Sequence, residues 1–245
     1  GLTDAEYGRG IAQLGVKWGI GALVERGTLI GAGQSNAVGH GASPTAYQSA
    51  SAGSEIFLAG HTRDDLFDTN ADALDANSHG VEIPISRKHK TDSGNDNVVL
   101  KYAAGGTSLA VGWKPTPTYG TNLTEALTEW DRALNYQMQG NGLTPNVKGL
   151  VWIQGESDAD DETRANAYET NLTTLINLLR GRYGSFPFII VEINTNLGGS
   201  YPYDTTVLTA QRAVAAAMSD VYLVNTQAMT TIGSDGVHYN SDQLI

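Results

Sequence analysis

The chain has 245 residues and a net charge of −11, with 40% apolar and 17% charged side chains, 29 glycines and no cysteine. That length suits one or two domains at ~150 residues each, and the apolar share is too high for a disordered chain. The acidic excess argues against a nucleic-acid partner, because phosphates would be repelled, and the missing cysteine excludes disulfide frameworks, thiolate metal sites and a cysteine nucleophile.

Residues 1–26 are studded with glycine and read as a connector or a glycine-interrupted helix. A strand is expected at Thr28-Leu-Ile-Gly-Ala, and a weaker one at Glu55 to Ala59. Asp, Asn, Ser and Gly dominate residues 60–97, which read as an irregular insertion. Val98-Val-Leu-Lys-Tyr-Ala resumes the strand pattern. After Thr121, a plausible N-cap, the residues Leu123, Ala126, Leu127, Trp130, Ala133 and Leu134 line one helical face. Val147 to Ile153 is the next strand. In 163–182, Ala165, Tyr168, Leu172, Leu175, Ile176 and Leu179 recur at helical spacing. Phe188 to Ile193, a helix over 205–218 and a strand from Val221 complete the alternation.

Short, nearly all-apolar strands alternating with helices predict a parallel sheet buried on both faces, which is an α/β/α three-layer sandwich over 27–245. There is no apolar run of ~18 residues and no signal peptide, so no membrane partner is expected. Freedom from cysteine fits an extracellular, periplasmic or virion-associated protein.

Ligands of open parallel sheets bind beyond the carboxyl ends of the strands. Four polar segments fall there: Gly31-Ala-Gly-Gln-Ser-Asn, Ala104-Gly-Gly-Thr-Ser, Gln154-Gly-Glu-Ser-Asp and Asp235-Gly-Val-His. Ser35, Asp235 and His238 are the ingredients of nucleophilic acyl transfer, in which an imidazole takes the hydroxyl proton and a carboxylate fixes the imidazole tautomer. Alone, Ser35 could simply cap a helix. The serine comes early, lacks the second glycine of an α/β-hydrolase elbow, and acid and base share one turn, so that fold is disfavoured. His40, His61, His79 and His89 show no metal-ligand spacing, so no metal is expected.

Gly33-Gln-Ser-Asn, Gly-Gly-Thr-Ser, Trp152-Ile-Gln-Gly-Glu-Ser-Asp and Asp-Gly-Val-His-Tyr together resemble the blocks of the SGNH hydrolase superfamily, in its sialate O-acetylesterase-like, carbohydrate acetylesterase branch. The resemblance covers residues 27–245. Gly112-Trp-Lys-Pro and Ala210-Gln-Arg agree with it. It implies a mostly parallel, flavodoxin-like sheet of about five strands, and no cofactor. By it, Ser35 is the nucleophile, His238 the base and Asp235 its orienting carboxylate. The oxyanion hole combines the Ser35 N–H, an N–H from Gly105 or Gly106, and the Gln154 side-chain amide. Gln34 and Asn36 brace the nucleophile, and Glu156 and Asp158 are hydrogen-bonded supports rather than catalytic acids. Trp113 is either core or an aromatic that stacks on a sugar. The chain stops seven residues after His238, where the family continues into a closing helix.

The expected activity is removal of O-acetyl groups from a carbohydrate, such as sialic acid, xylan or a bacterial surface polysaccharide, through an acyl-enzyme. The expected partner is an O-acetylated glycan. The alternative is a non-catalytic carbohydrate-binding or structural domain of a larger assembly, such as a phage tail protein.

Overall fold

The structure, a computed structural model, describes residues 23–39, 55–58, 67–68, 82–196, 201–229 and 237–239. The expected connector at 1–26 lies almost wholly outside them, as does Asp235. The strands are β1 (Val24–Gly33), β2 (Glu55–Leu58), β3 (Phe67–Asp68), β4 (Asn97–Ala103), β5 (Leu143–Ile153), β6 (Phe188–Val191) and β7 (Val221–Val224). The helices are α1 (Ser35–Val38), α2 (Glu82–Ser93), α3 (Thr121–Arg132), α4 (Met138–Gly140), α5 (Glu156–Ala159), α6 (Glu162–Tyr183) and α7 (Asp204–Ala217).

Among the described residues the strands form one sheet in the order β3-β2-β4-β1-β5-β6-β7. Every neighbouring pair is parallel except β2–β3. The five main expected strands are β1, β4, β5, β6 and β7. Counted along the chain they stand in the order 2-1-3-4-5, the flavodoxin-like arrangement. The weak candidate at 55–59 is β2, which extends the sheet beyond those five. In this order the chain reverses direction across the sheet between β1 and β5, and ligands of such sheets bind beyond the carboxyl ends of the strands at that point.

The helical stripes pack as their spacing dictates. In α6 the buried residues are Ala165, Tyr168, Leu172, Leu175, Ile176 and Leu179, the same six that the periodicity selects. Together with Leu123, Trp130, Val207 and Val214 they cover one face of the sheet around Trp152, Leu150 and Ile190. Ala37, Val151 and Ile153 form a smaller cluster with Ile85 of α2. Two expectations are corrected. Residues 82–93 are helical where composition predicts irregular chain: Lys, His and Asp mask a helix that needs only a narrow apolar contact. Thr121 is the first residue of α3, not its cap; Gly120 holds that position without a side-chain bond.

Candidate active site

The carboxyl end of β1 is shaped by a close approach of two backbones. Gly33 has φ +144°, and a Cβ there would lie 2.0 Å from the Ile153 carbonyl oxygen. The next residue, Gln34, donates its N–H to that same oxygen at 2.9 Å. Only glycine allows this approach. The chain then turns straight into α1, which begins at Ser35 and ends at Gly39 in the left-handed region. Ser35 is 8% exposed, and Asn36 and Ala37 are buried beneath it.

A charge that sequence reasoning missed secures the far end of α1. Lys101 Nζ donates to the Val38 carbonyl at 2.8 Å and to Glu82 Oε1 at 2.9 Å. Both side chains of this ion pair are buried. Removing one partner of a buried pair strands the other and typically costs ~3–5 kcal/mol. The available signal was one lysine in an otherwise apolar strand, Val98-Val-Leu-Lys-Tyr-Ala.

At the end of β5, Gly155 allows a second close approach, here to the Ile193 side chain, which a Cβ would meet at 2.5 Å. Gln154 and Gln34 join the two strand ends. Gln34 Oε1 accepts from Gln154 Nε2 at 3.2 Å and from the Ser157 N–H at 3.3 Å. Gln154 Nε2 also donates to Asp158 Oδ2 at 2.6 Å and lies 3.1 Å from the Thr107 carbonyl. Its Oε1 accepts from the Tyr168 hydroxyl at 3.0 Å. Gln154 is 0% exposed, and its amide hydrogens are engaged by these protein acceptors. It therefore braces the site and has no N–H to offer an oxyanion, which corrects the expectation that it completes the hole.

Asp158 holds the loop after β4. Its carboxylate accepts from the Leu109 N–H at 2.7 Å and the Ala110 N–H at 3.0 Å. Burial pushes its carboxyl above the usual range, opposed by those N–H groups and by Gln154. Upstream in the same loop Gly105 and Gly106 are exposed, and the Ala104 N–H donates to the Gly33 carbonyl at 3.1 Å. The glycine backbone therefore sits beside the end of β1. Trp113 is 0% exposed, T-stacked on Trp152 at 5.1 Å and on Tyr102 at 5.6 Å. Its Nε1 donates to Thr107 Oγ1 at 3.0 Å. Trp113 is a core residue that shapes the loop, and the sugar-stacking alternative is set aside.

The last segment reaches the site through Asn36. The Tyr239 N–H donates to Asn36 Oδ1 at 3.1 Å, and Asn36 Nδ2 donates to Glu156 Oε1 at 2.8 Å. His238, half-buried, lies within electrostatic reach of Glu156. Burial pushes the Glu156 carboxyl up, opposed by its own backbone N–H, by the Asn36 bond and by the charge of His238. The structure thus gathers Ser35, Asn36, Glu156 and His238 at one sheet edge, beside the glycines of the second block. Among the described residues no group of three His, Asp or Glu could hold a metal ion.

A polar network fixes the base from which the last segment departs. Arg212 makes two bonds to the buried Glu192, at 2.9 and 3.0 Å, and Asn194 Nδ2 donates to the Thr226 carbonyl at 2.7 Å. In sequence Arg212 stands out only through the Ala210-Gln-Arg resemblance; its partner Glu192 stands where the sixth strand runs out, in Phe188-Ile-Ile-Val-Glu-Ile.

Residues 27–245 match the family model described as "Carbohydrate esterase, sialic acid-specific acetylesterase". The chain belongs to this family. It is a carbohydrate acetylesterase of SGNH type. Solved structures share its fold at low identity. A protein from Arabidopsis thaliana is 20% identical over 90% of this chain and 93% of its own, with a TM-score of 0.70. A carbohydrate acetylesterase from Xanthomonas citri is 19% identical over 81% of this chain and 49% of its own, with a TM-score of 0.58. NanS is 14% identical over 86% of this chain and 80% of its own, with a TM-score of 0.62. None of the curated proteins matches the chain.

Proposed function

We propose that this esterase removes O-acetyl groups from a glycan through an acyl-enzyme formed on Ser35. The observation that carries the reading is the bond from the Tyr239 N–H to Asn36. It ties the residue after His238 to the residue after Ser35, which supports the reading that imidazole and hydroxyl act together.

In the first step Ser35 Oγ bonds to the acetyl carbonyl carbon while His238 takes the hydroxyl proton. Asp235 holds the imidazole in the productive tautomer. The carbonyl oxygen becomes an oxyanion, held by the Ser35 N–H and by the N–H of Gly106 or Gly105. With Gln154 engaged elsewhere, the hole draws on backbone donors, which are fixed before the reaction begins. One such donor contributes ~2.7–4 kcal/mol to the transition state. The C–O bond to the sugar then breaks, and His238 returns the proton to the leaving alcohol. Water, deprotonated by His238, attacks the acetyl-serine, and acetate leaves with Ser35 restored.

In the loop that contains Trp113, Val111 and Tyr119 are exposed and Lys114 is half-buried. These residues, rather than Trp113, are available to select among sialic acid, xylan and bacterial polysaccharide acetates. The test is acetate release from those three substrates beside p-nitrophenyl acetate and its longer-chain homologues. Acetate from at least one glycan, with the short acyl chain preferred, is the expected outcome. Faster hydrolysis of long acyl esters with no acetate from any glycan would overturn the reading.

A further inference from the structure

One buried carboxylate in the site has no part in the mechanism above. Glu156 is 5% exposed at the start of α5. Its Oε1 accepts from Asn36, while its Oε2 is buried with no hydrogen-bond partner among the described residues. Such a group is costly to bury, typically ~1–3 kcal/mol for an unsatisfied polar atom and more for a charged one. The titratable groups facing it are His238, Asp158, and the hydroxyls of Tyr168 and Tyr239. Of these, only His238 can become a cation.

We propose that Glu156 is a second carboxylate serving His238, and that Asn36 is the positioning residue that couples the two. The inference rests on the reading of Ser35 as nucleophile and His238 as base. Two physical effects meet in this arrangement. The negative charge on Glu156 stabilises the imidazolium that forms when Ser35 gives up its proton. The same charge also fixes the Asn36 amide. An ionised carboxylate only accepts hydrogen bonds, so Asn36 must turn Nδ2 towards Glu156 and Oδ1 towards the Tyr239 N–H. Flipped over, the amide would set donor against donor at the Tyr239 N–H and acceptor against acceptor at Glu156, and the His238 segment would lose its tie to α1. The charge on Glu156 therefore favours both the protonated base and the geometry that brings the base to the nucleophile.

Burial pushes the Glu156 carboxyl up.

Two substitutions separate charge from geometry. Glu156→Gln keeps an acceptor for Asn36 Nδ2 and removes the charge; it should move the acid limb of kcat/KM to lower pH by about half a unit or more. Asn36→Ala keeps the charge and removes the tie; kcat should fall by ~10-fold or more with KM within ~3-fold of the parent. An acid limb unmoved in Glu156→Gln, or a kcat for Asn36→Ala within ~3-fold of the parent, would overturn the proposal. Should Glu156→Gln fail to fold, the unmutated protein decides. Its Glu156 carboxyl 13C resonance should show an inflection at the pH of the acid limb, and a resonance flat across that limb would overturn the proposal. Ser35→Ala serves as the control: if it stays active, the reading of the nucleophile fails; if it is dead while both variants behave as the parent, only this inference fails.

Discussion

Ser35→Ala should lower kcat/KM on p-nitrophenyl acetate by at least ~10⁴-fold, because removing a nucleophile abolishes the covalent route and leaves only the oxyanion hole and binding. The loss should come without a loss of fold. Ser35 is small, 8% exposed, and its backbone N–H and carbonyl stay in place after the change. The carbonyl still accepts from the Gly39 N–H, and α1 keeps its C-terminal turn. The thermal midpoint should therefore stay close to that of the parent. Retained turnover in a pure sample would remove Ser35 from the chemistry.

Gly33→Ala is expected to have the largest effect on stability. The new methyl would sit 2.0 Å from the Ile153 oxygen and 2.6 Å from its carbon, both of them backbone atoms of the central sheet. The backbone there is also at φ +144°, where L side chains are rarely found. No rotamer change relieves either problem; β1 or β5 must move, and with it the bonds that place Gln34 and Ser35. A cost above ~4 kcal/mol is expected, in the range reserved for strain and overpacking in a core. Gly106→Ala is the internal comparison. Its φ is also positive, at +67°, but a Cβ there meets nothing within 4 Å. Strain alone should cost ~1–2 kcal/mol. Urea unfolding of the two variants measures the difference; equal costs would mean that the approach of β1 to β5 is looser than described.

What the sequence disclosed and what it concealed follow from how each feature is encoded. The stripe of α6 and the strands from Thr28, Val98, Val147, Phe188 and Val221 are periodic patterns, and periodicity survives without knowledge of neighbours. The glycine-bearing turns that follow β1 and β5 were legible for a related reason: glycine and small polar residues where an apolar run ends leave few other uses for the backbone. The sequence assigns Gln154 to the oxyanion hole and leaves Trp113 open between core and sugar stacking, because both roles depend on partners far along the chain. Gln154 is claimed by Asp158, Gln34 and Thr107, and Trp113 by Tyr102 and Trp152. An amide and an indole near an active site look alike in sequence whether they face the substrate or turn inward. The ion pair of Lys101 with Glu82 was hidden in the same way. Glu82 lies in the stretch that composition assigns to loop, and its burial appears only once α2 is packed on the sheet.

The most direct test of the esterase mechanism is to quench the enzyme during turnover of an O-acetylated glycan and read the mass of the peptide that carries Ser35. One acetyl group on Ser35, appearing with substrate and disappearing as substrate is exhausted, is the result expected. Acetate release at full rate with Ser35 never acetylated, and with Ser35→Ala equally active, would contradict it.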